Sequence, residues 1–402
     1  MGRTEPSSGL PPQSTRRDAR AKHAKATLNK TIPDLLRAYP RARAGLAAAE
    51  LITSLPDQQT TNNKTRRGSV SESPQEATEP EARAARFRLR LIVADSITAA
   101  LDLSPPRRPH QHSSKPPSPN PGLLNMASPL RPGGGFLTGA TGQEESLCLR
   151  TTLLPSLREP FYRLPERGAV RSPDVLVFRD GAGRDLSKAD RRWVDVVSAG
   201  MLRFPDVEWR GREGGSKREG EGEMVYANEK DRELVRAKME VVMGVFRMCR
   251  CRKVVLGAWG CGAYGNPVGE VARAWRKVLL GSVGGGRGKG KGKGQATKQQ
   301  RRGPVWEGIE EVVFAITDQK MAEKFRKAFG EEELEYVQER GAEGDSGAGG
   351  GGDEEERPDD GPDDDAEMRA KIAEMGEQME KATNPDLKAR LQNLVDNLKR
   401  QM

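Results

Sequence analysis

The stretch "KVVLGAWGCGAYGNPVGEVARAWRKVLL" (Lys253–Leu280) decides the fold class. Lys253–Gly260 opens with a continuous apolar run rather than an alternating one, the pattern of a strand buried on both faces. A glycine-rich loop follows, and Asn266–Leu280 then reads as a helix, with Asn266 as its cap and Pro267 at its first position. Strand, glycine loop and helix in that order form the repeating unit of a layered α/β domain.

The same unit recurs on both sides. "FRLRLIVADSITAALDL" (Phe87–Leu103) begins as a strand and ends as a short helix or a strand end, and "LLNMAS" (Leu123–Ser128) is a buried strand leading into a second glycine-rich loop. "SPDVLVFRD" (Ser172–Asp180) is a strand with turn residues at both ends. Glu229–Cys249 is an amphipathic helix that offers Leu234, Met239, Val242, Val245 and Phe246 on one face. "EEVVFAITD" (Glu310–Asp318) and "QKMAEKFRKAF" (Gln319–Phe329) complete a further strand and helix. Helices on both faces of a sheet are expected, with ligands beyond the carboxyl ends of the strands, where both glycine-rich loops fall.

Composition sets the boundaries. At 35% hydrophobic residues with 45 Gly and 27 Pro, part of the 402-residue chain lies outside a packed core. The deficit is local: low-complexity insertions stand near 58–82, 104–121 and 281–303, and an acidic, Gly-rich linker spans 331–366. Residues 1–19 read as a disordered basic arm, 20–330 as the main domain, and 367–402 as a helical hairpin. In that hairpin Met368, Ile372, Met375 and Met379 line one helix, Leu387, Leu391, Leu394 and Leu398 the other, and Asn384-Pro385 makes the turn. The hairpin is read as a free-standing appendage, with a protein partner as the alternative. From Glu331 onward 22 acidic and 9 basic residues give about −13, which leaves +22 on residues 1–330. That body favours a polyanionic partner, or else its charge sits on solvated arms. Four cysteines without paired CxxC spacing and three histidines supply no metal site, and no cofactor is called for. No signal peptide or membrane span is read, so nucleus or cytoplasm is the expected location.

Two loops carry the chemistry. Gly260-x-Gly262-x-x-Gly265 matches a dinucleotide fingerprint, but the acidic residue expected about 20 positions later is missing. What remains is a choice between a pyrophosphate cradle and a tight strand-to-helix turn. The other loop, "RPGGGFLTGATGQEESLCLRTTLLPSL" (Arg131–Leu157), sets Gly133, Gly134 and Gly135 ahead of adjacent carboxylates Glu144 and Glu145. Thr141 and Glu144 fit a capping box, which accounts for Glu144 but not for Glu145. Adjacent helical residues project about 100° apart, so the two carboxylates cannot flank one bond as a facing pair and must differ in role.

"GGG", seven residues and then "QEE", within "LNMASPLRPGGGFLTGATGQEESLCLRTTLLPSL" and followed by "VVLGAWGCGAYGN", resembles the signature of microbial-type poly(ADP-ribose) glycohydrolases. The resemblance spans about Arg20–Phe329, insertions excepted. It implies a macrodomain-like three-layer α/β/α fold with a mixed sheet that binds ADP-ribose. It also implies hydrolysis of ribose–ribose O-glycosidic bonds, with Glu145 as the catalytic acid and Glu144 and Gln143 positioning the ribose. By the same resemblance, Gly133–Gly135 lie along the terminal ribose and diphosphate, and Asn125 is a further substrate-binding residue. Gly260, Cys261, Gly262, Ala263, Tyr264, Gly265 and Asn266 wrap the diphosphate, and Phe314 lies near the adenine. The partners implied are poly(ADP-ribose) and ADP-ribosylated proteins. The alternatives are a non-catalytic ADP-ribose-binding macrodomain and a nucleic-acid binder using the basic arms; with 5% aromatic residues the latter has only nonspecific phosphate attraction to draw on.

Overall fold

The computed structural model describes residues 13–55, 87–104, 119–211, 222–281 and 306–337, with isolated positions between 376 and 395. The chain opens with helix α1 (Gln13–Ala26), a π-turn, and helices α2 (Ile32–Ala38) and α3 (Pro40–Ala47). Strands β1 (Glu50–Ile52) and β2 (Arg88–Ile92), helix α4 (Ser96–Leu103), strand β3 (Gly122–Met126) and helix α5 (Gln143–Arg150) follow. Next come β4 (Ala169–Val177), β5 (Arg192–Ala199), β6 (Val207–Gly211), β7 (Gly222–Tyr226) and α6 (Glu229–Met248). The order closes with β8 (Lys253–Leu256), α7 (Val268–Leu280), β9 (Glu311–Ala315), α8 (Gln319–Phe329) and β10 (Glu335–Val337).

Eight strands form one mixed sheet in the order β1-β4-β5-β3-β8-β9-β2-β10. The six from β5 to β10 are parallel, and β4 pairs antiparallel with both β5 and β1. Alternation along each strand divides the core into two layers. Leu124, Val254, Leu256, Val312 and Phe314 face the cluster that includes Val242 and Phe246 of α6, Trp275 of α7 and Phe325 of α8. Leu123, Val255 and Val313 face the other cluster, with Ile97 and Ala100 of α4 and Leu147 of α5. Each fully buried Leu, Val or Phe contributes roughly 1.5–3 kcal/mol, so both faces of the sheet are committed to helices. This is the expected three-layer α/β/α arrangement. Among the described residues no helix is long and apolar enough to cross a membrane.

Several expectations need correcting. Helix begins at Gln13, inside the stretch read as a disordered arm, because α1 lies across the segment after the first glycine loop: Arg17 donates to the Thr138 carbonyl at 3.0 Å and Arg20 to that of Gly139 at 2.8 Å. The main domain extends to Val337, since β10 adds a parallel edge beside β2 within what was read as linker. Asn266 does not cap α7: Pro267 occupies the cap position, and the Asn266 side chain is spent on tertiary bonds. The insertions lie largely outside the described residues. So does the proposed Asn384-Pro385 turn, although the described positions between 376 and 395 are helical and Leu391 and Val395 are buried.

Candidate active site

The loops that leave the carboxyl ends of β3, β5 and β8 converge. From β3, the Ala127–Ser128 turn carries the chain toward Gly133–Gly135, where Gly133 and Gly134 take φ of +66° and +53°, a region that disfavours side chains. The loop returns into α5 at Gly142 with no side-chain cap, so the capping-box expectation for Thr141 and Glu144 fails. The reason is competition. Glu144 points away from the helix start and accepts from the Ser128 N–H at 2.7 Å and from Asn125 Nδ2 at 3.4 Å.

Glu145 turns the other way, accepting from the Gly135 N–H at 2.8 Å through Oε1. An added Cβ on Gly134 would lie 2.7 Å from Glu145 Oε1 and 2.9 Å from Glu144 Oε2. Oxygens of the two carboxyls therefore converge on the space beside one glycine, a closer arrangement than their adjacent helix positions suggest. Glu144 is 4% exposed. Burial, reinforced by the Glu145 charge, pushes its carboxyl up to about 8, against the Ser128 N–H and Asn125, which favour the ionised form.

Gln143 is a brace rather than a free ligand group. Its oxygen accepts from the Met126 N–H at 2.9 Å, and its amide donates to the Leu124 carbonyl at 2.7 Å and to Ser96 Oγ at 3.0 Å. These bonds lock α5 onto the end of β3. Asn125 is fully buried and donates to Ser198 Oγ at 3.0 Å, while its Oδ1 has no partner among the described residues.

The second loop approaches from β8. Gly260 and Gly265 take positive φ, and the Gly260 carbonyl accepts from the Asn266 N–H at 3.0 Å, which closes the loop. The Asn266 side chain is 2% exposed; it accepts from the Tyr226 hydroxyl at 2.8 Å and donates to the carbonyls of Leu202 and Gly260. Gly262 and Ala263 are exposed, and an added Cβ on Gly262 meets no heavy atom within 4 Å. Cys261 is half-buried, with burial raising its thiol far above the ordinary range. The Tyr264 hydroxyl reaches the Ser128 side chain and feels the charges of Glu144 and Glu145, so the two loops meet at Ser128. Arg203 lies over the rings of both Phe204 and Tyr264.

Phe314 is not part of this gathering. It is fully buried in β9, with ring centroids 4.9 Å from Phe325 and 5.5 Å from Phe329, so the expected adenine contact is replaced by a core position. Sequence reading also missed Ser96, Ser128, Ser198 and Tyr162, small or aromatic residues whose importance arises from where the fold puts them.

The arrangement offers one buried carboxyl, one half-buried carboxyl on a backbone N–H, and a surface of exposed backbone on the second loop. That suits a ligand with ribose hydroxyls and phosphates. Residues 53–180 match the family model described as the microbial-type PARG catalytic domain. Among solved structures, poly(ADP-ribose) glycohydrolase from Thermomonospora curvata is similar at 23% identity, covering 79% of this chain and 100% of that one, with a TM-score of 0.50, a likeness of fold. The Deinococcus radiodurans enzyme in complex with ADP-ribose is 23% identical and covers 72% of this chain and 97% of that one, with a TM-score of 0.44. No curated protein matches the chain. The matched residues 53–180 hold Asn125, Gly133–Gly135 and the Gln143–Glu145 triplet.

Proposed function

We propose that this protein is a poly(ADP-ribose) glycohydrolase that releases ADP-ribose by hydrolysing ribose–ribose O-glycosidic bonds, with Glu145 as the acid and then the base. The observation that carries the assignment of roles is the split at Gly134: one carboxyl is buried and held from behind by Ser128, the other is anchored by the Gly135 N–H. Glu144, neutral over most of the physiological range, is suited to hydrogen-bond a ribose hydroxyl without placing a negative charge beside the Glu145 carboxyl. Glu145 then gives its proton to the departing ribose oxygen as the C–O bond breaks and positive charge develops on the ring. In the second half it takes a proton from the water that attacks the same carbon, which restores the carboxyl. One group serves both halves, unlike the two separated carboxyls of most glycosidases. The exposed backbone of Gly262–Ala263 supports a diphosphate contact, and ADP-ribosylated proteins are the corresponding macromolecular substrates.

The test is Glu145→Gln, which keeps an oxygen for the Gly135 N–H. On automodified polymer, release of free ADP-ribose is expected to fall by roughly 10²–10⁴-fold. Release at the parental rate from this variant sinks the mechanism. A parent protein that binds ADP-ribose but frees none from polymer is instead a reader of the modification.

A further inference from the structure

Tyr162 carries a hydroxyl that the fold leaves idle. Its segment turns back onto the first loop: the Phe161 N–H donates to the Arg158 carbonyl at 2.9 Å, and the Leu164 N–H to the Pro129 carbonyl at 2.9 Å. Pro129 directly follows Ser128, whose N–H holds Glu144. The Tyr162 ring packs on the cluster that includes Leu147 and Leu153, while its hydroxyl oxygen is buried with no hydrogen-bond partner among the described residues. A buried, unsatisfied hydroxyl is destabilising, and phenylalanine fills the same space without it. Of the ionisable groups acting on it, Glu144 is foremost, ahead of Cys148, Glu159 and Tyr264. Glu144 has room for another donor, since Asn125 reaches its Oε1 only at 3.4 Å, longer than an ordinary hydrogen bond.

We propose that Tyr162 is a positioning residue of the glycohydrolase reaction, its hydroxyl donating to Glu144 when the substrate ribose draws that carboxyl into line. This rests on the function proposed above. It gives the buried carboxyl a clamp with two sides, Ser128 from the backbone and Tyr162 from the segment after α5.

The experiment compares Tyr162→Phe with the parent in kcat and KM on polymer, ADP-ribose binding by calorimetry, the pH dependence of kcat, and Tm. The variant is expected to lose roughly 3–10-fold in kcat, with KM and ADP-ribose affinity close to parental and Tm equal or higher. Loss of a donor to ionised Glu144 also moves the limb that titrates this carboxyl to higher pH; the groups facing it are Glu145, Ser128, Asn125 and the Gly133 N–H. Parental kcat and pH profile in an active protein overturn the Tyr162 role alone, as does a kcat that falls only in step with Tm. A parent that neither cleaves polymer nor binds ADP-ribose overturns the functional reading, and the Tyr162 role with it.

Discussion

At Gly134 an added methyl would press on oxygens of both Glu144 and Glu145, whereas at Gly262 it would meet nothing within 4 Å. Both residues belong to glycine-rich loops at the carboxyl ends of parallel strands, and both loops reach Ser128. The first loop needs its glycine because the protein's own carboxylates occupy the space where a side chain would be. The second has no internal claim on Gly262, which is exposed and takes no left-handed φ. An absent side chain thus has two meanings. In one loop it lets catalytic groups come close to the backbone; in the other it leaves backbone open to something outside the protein.

Gly134→Ala tests the first meaning and carries the largest effect. The substitution combines a φ of +53° with contacts that force both carboxylates to shift. Backbone strain of about 1–2 kcal/mol is expected, visible as a lower Tm. Misplacement of the acid by a fraction of an ångström to an ångström lowers kcat by about 100-fold. Parental turnover would mean that the carboxylates do not depend on close approach to this loop.

The pH dependence of stability sharpens the same point. Because burial holds the Glu144 proton up to about pH 8, the folded state binds a proton that the unfolded chain, with an ordinary glutamate value near 4.5, has released. The contribution is complete below about pH 4.5 and is lost as pH rises toward 8, so stability falls across that window. Glu144→Gln fixes the neutral form. Its Tm relative to the parent should therefore climb steadily from pH 5 to 8, by no more than a few kcal/mol in stability terms. A constant offset between the two proteins across this range would show that Glu144 is not desolvated as the fold places it.

What sequence alone revealed follows the same division. Strand β2 was legible from apolar–basic alternation, β3, β8 and β9 from continuous apolar runs, and helices α6, α7 and α8 from a helical period, none of which needs tertiary information. Strand β5 was not singled out, since Asp195 interrupts its apolar run and Ser198 is a buried polar residue serving Asn125. Strand β6 is exposed, Trp209 included, and β7 enters the core at its end through Val225 and Tyr226, too short a run to mark the ribbon. The roles of Glu144 and Gln143 were obscured by a local signature, Thr-x-x-Glu, that a tertiary donor outcompetes: Ser128, 16 residues away, claims the carboxylate that the helix start would otherwise use. Phe314 lies on a strand buried on both faces, where no polarity contrast tells which neighbours point to the ligand and which to the core. Tyr162 gives no sequence signal at all, because its environment is made by the return of the chain onto Pro129.

Gly262→Ala tests the second meaning, with the smallest effect on the protein itself. Nothing in the fold opposes the methyl, so Tm should stay within about 0.5 kcal/mol of the parent. The methyl does stand between solvent and the loop backbone, where the diphosphate is proposed to bind. ADP-ribose affinity should then fall by roughly 3–10-fold, as expected when one good polar contact is lost, while kcat at saturating polymer changes little because the carboxylates are untouched. This is the reverse of the Gly134→Ala pattern, which strikes kcat and stability together. If calorimetry finds ADP-ribose binding to Gly262→Ala unchanged, the second loop is a strand-to-helix turn held by Asn266, and the phosphate contacts must come from the first loop.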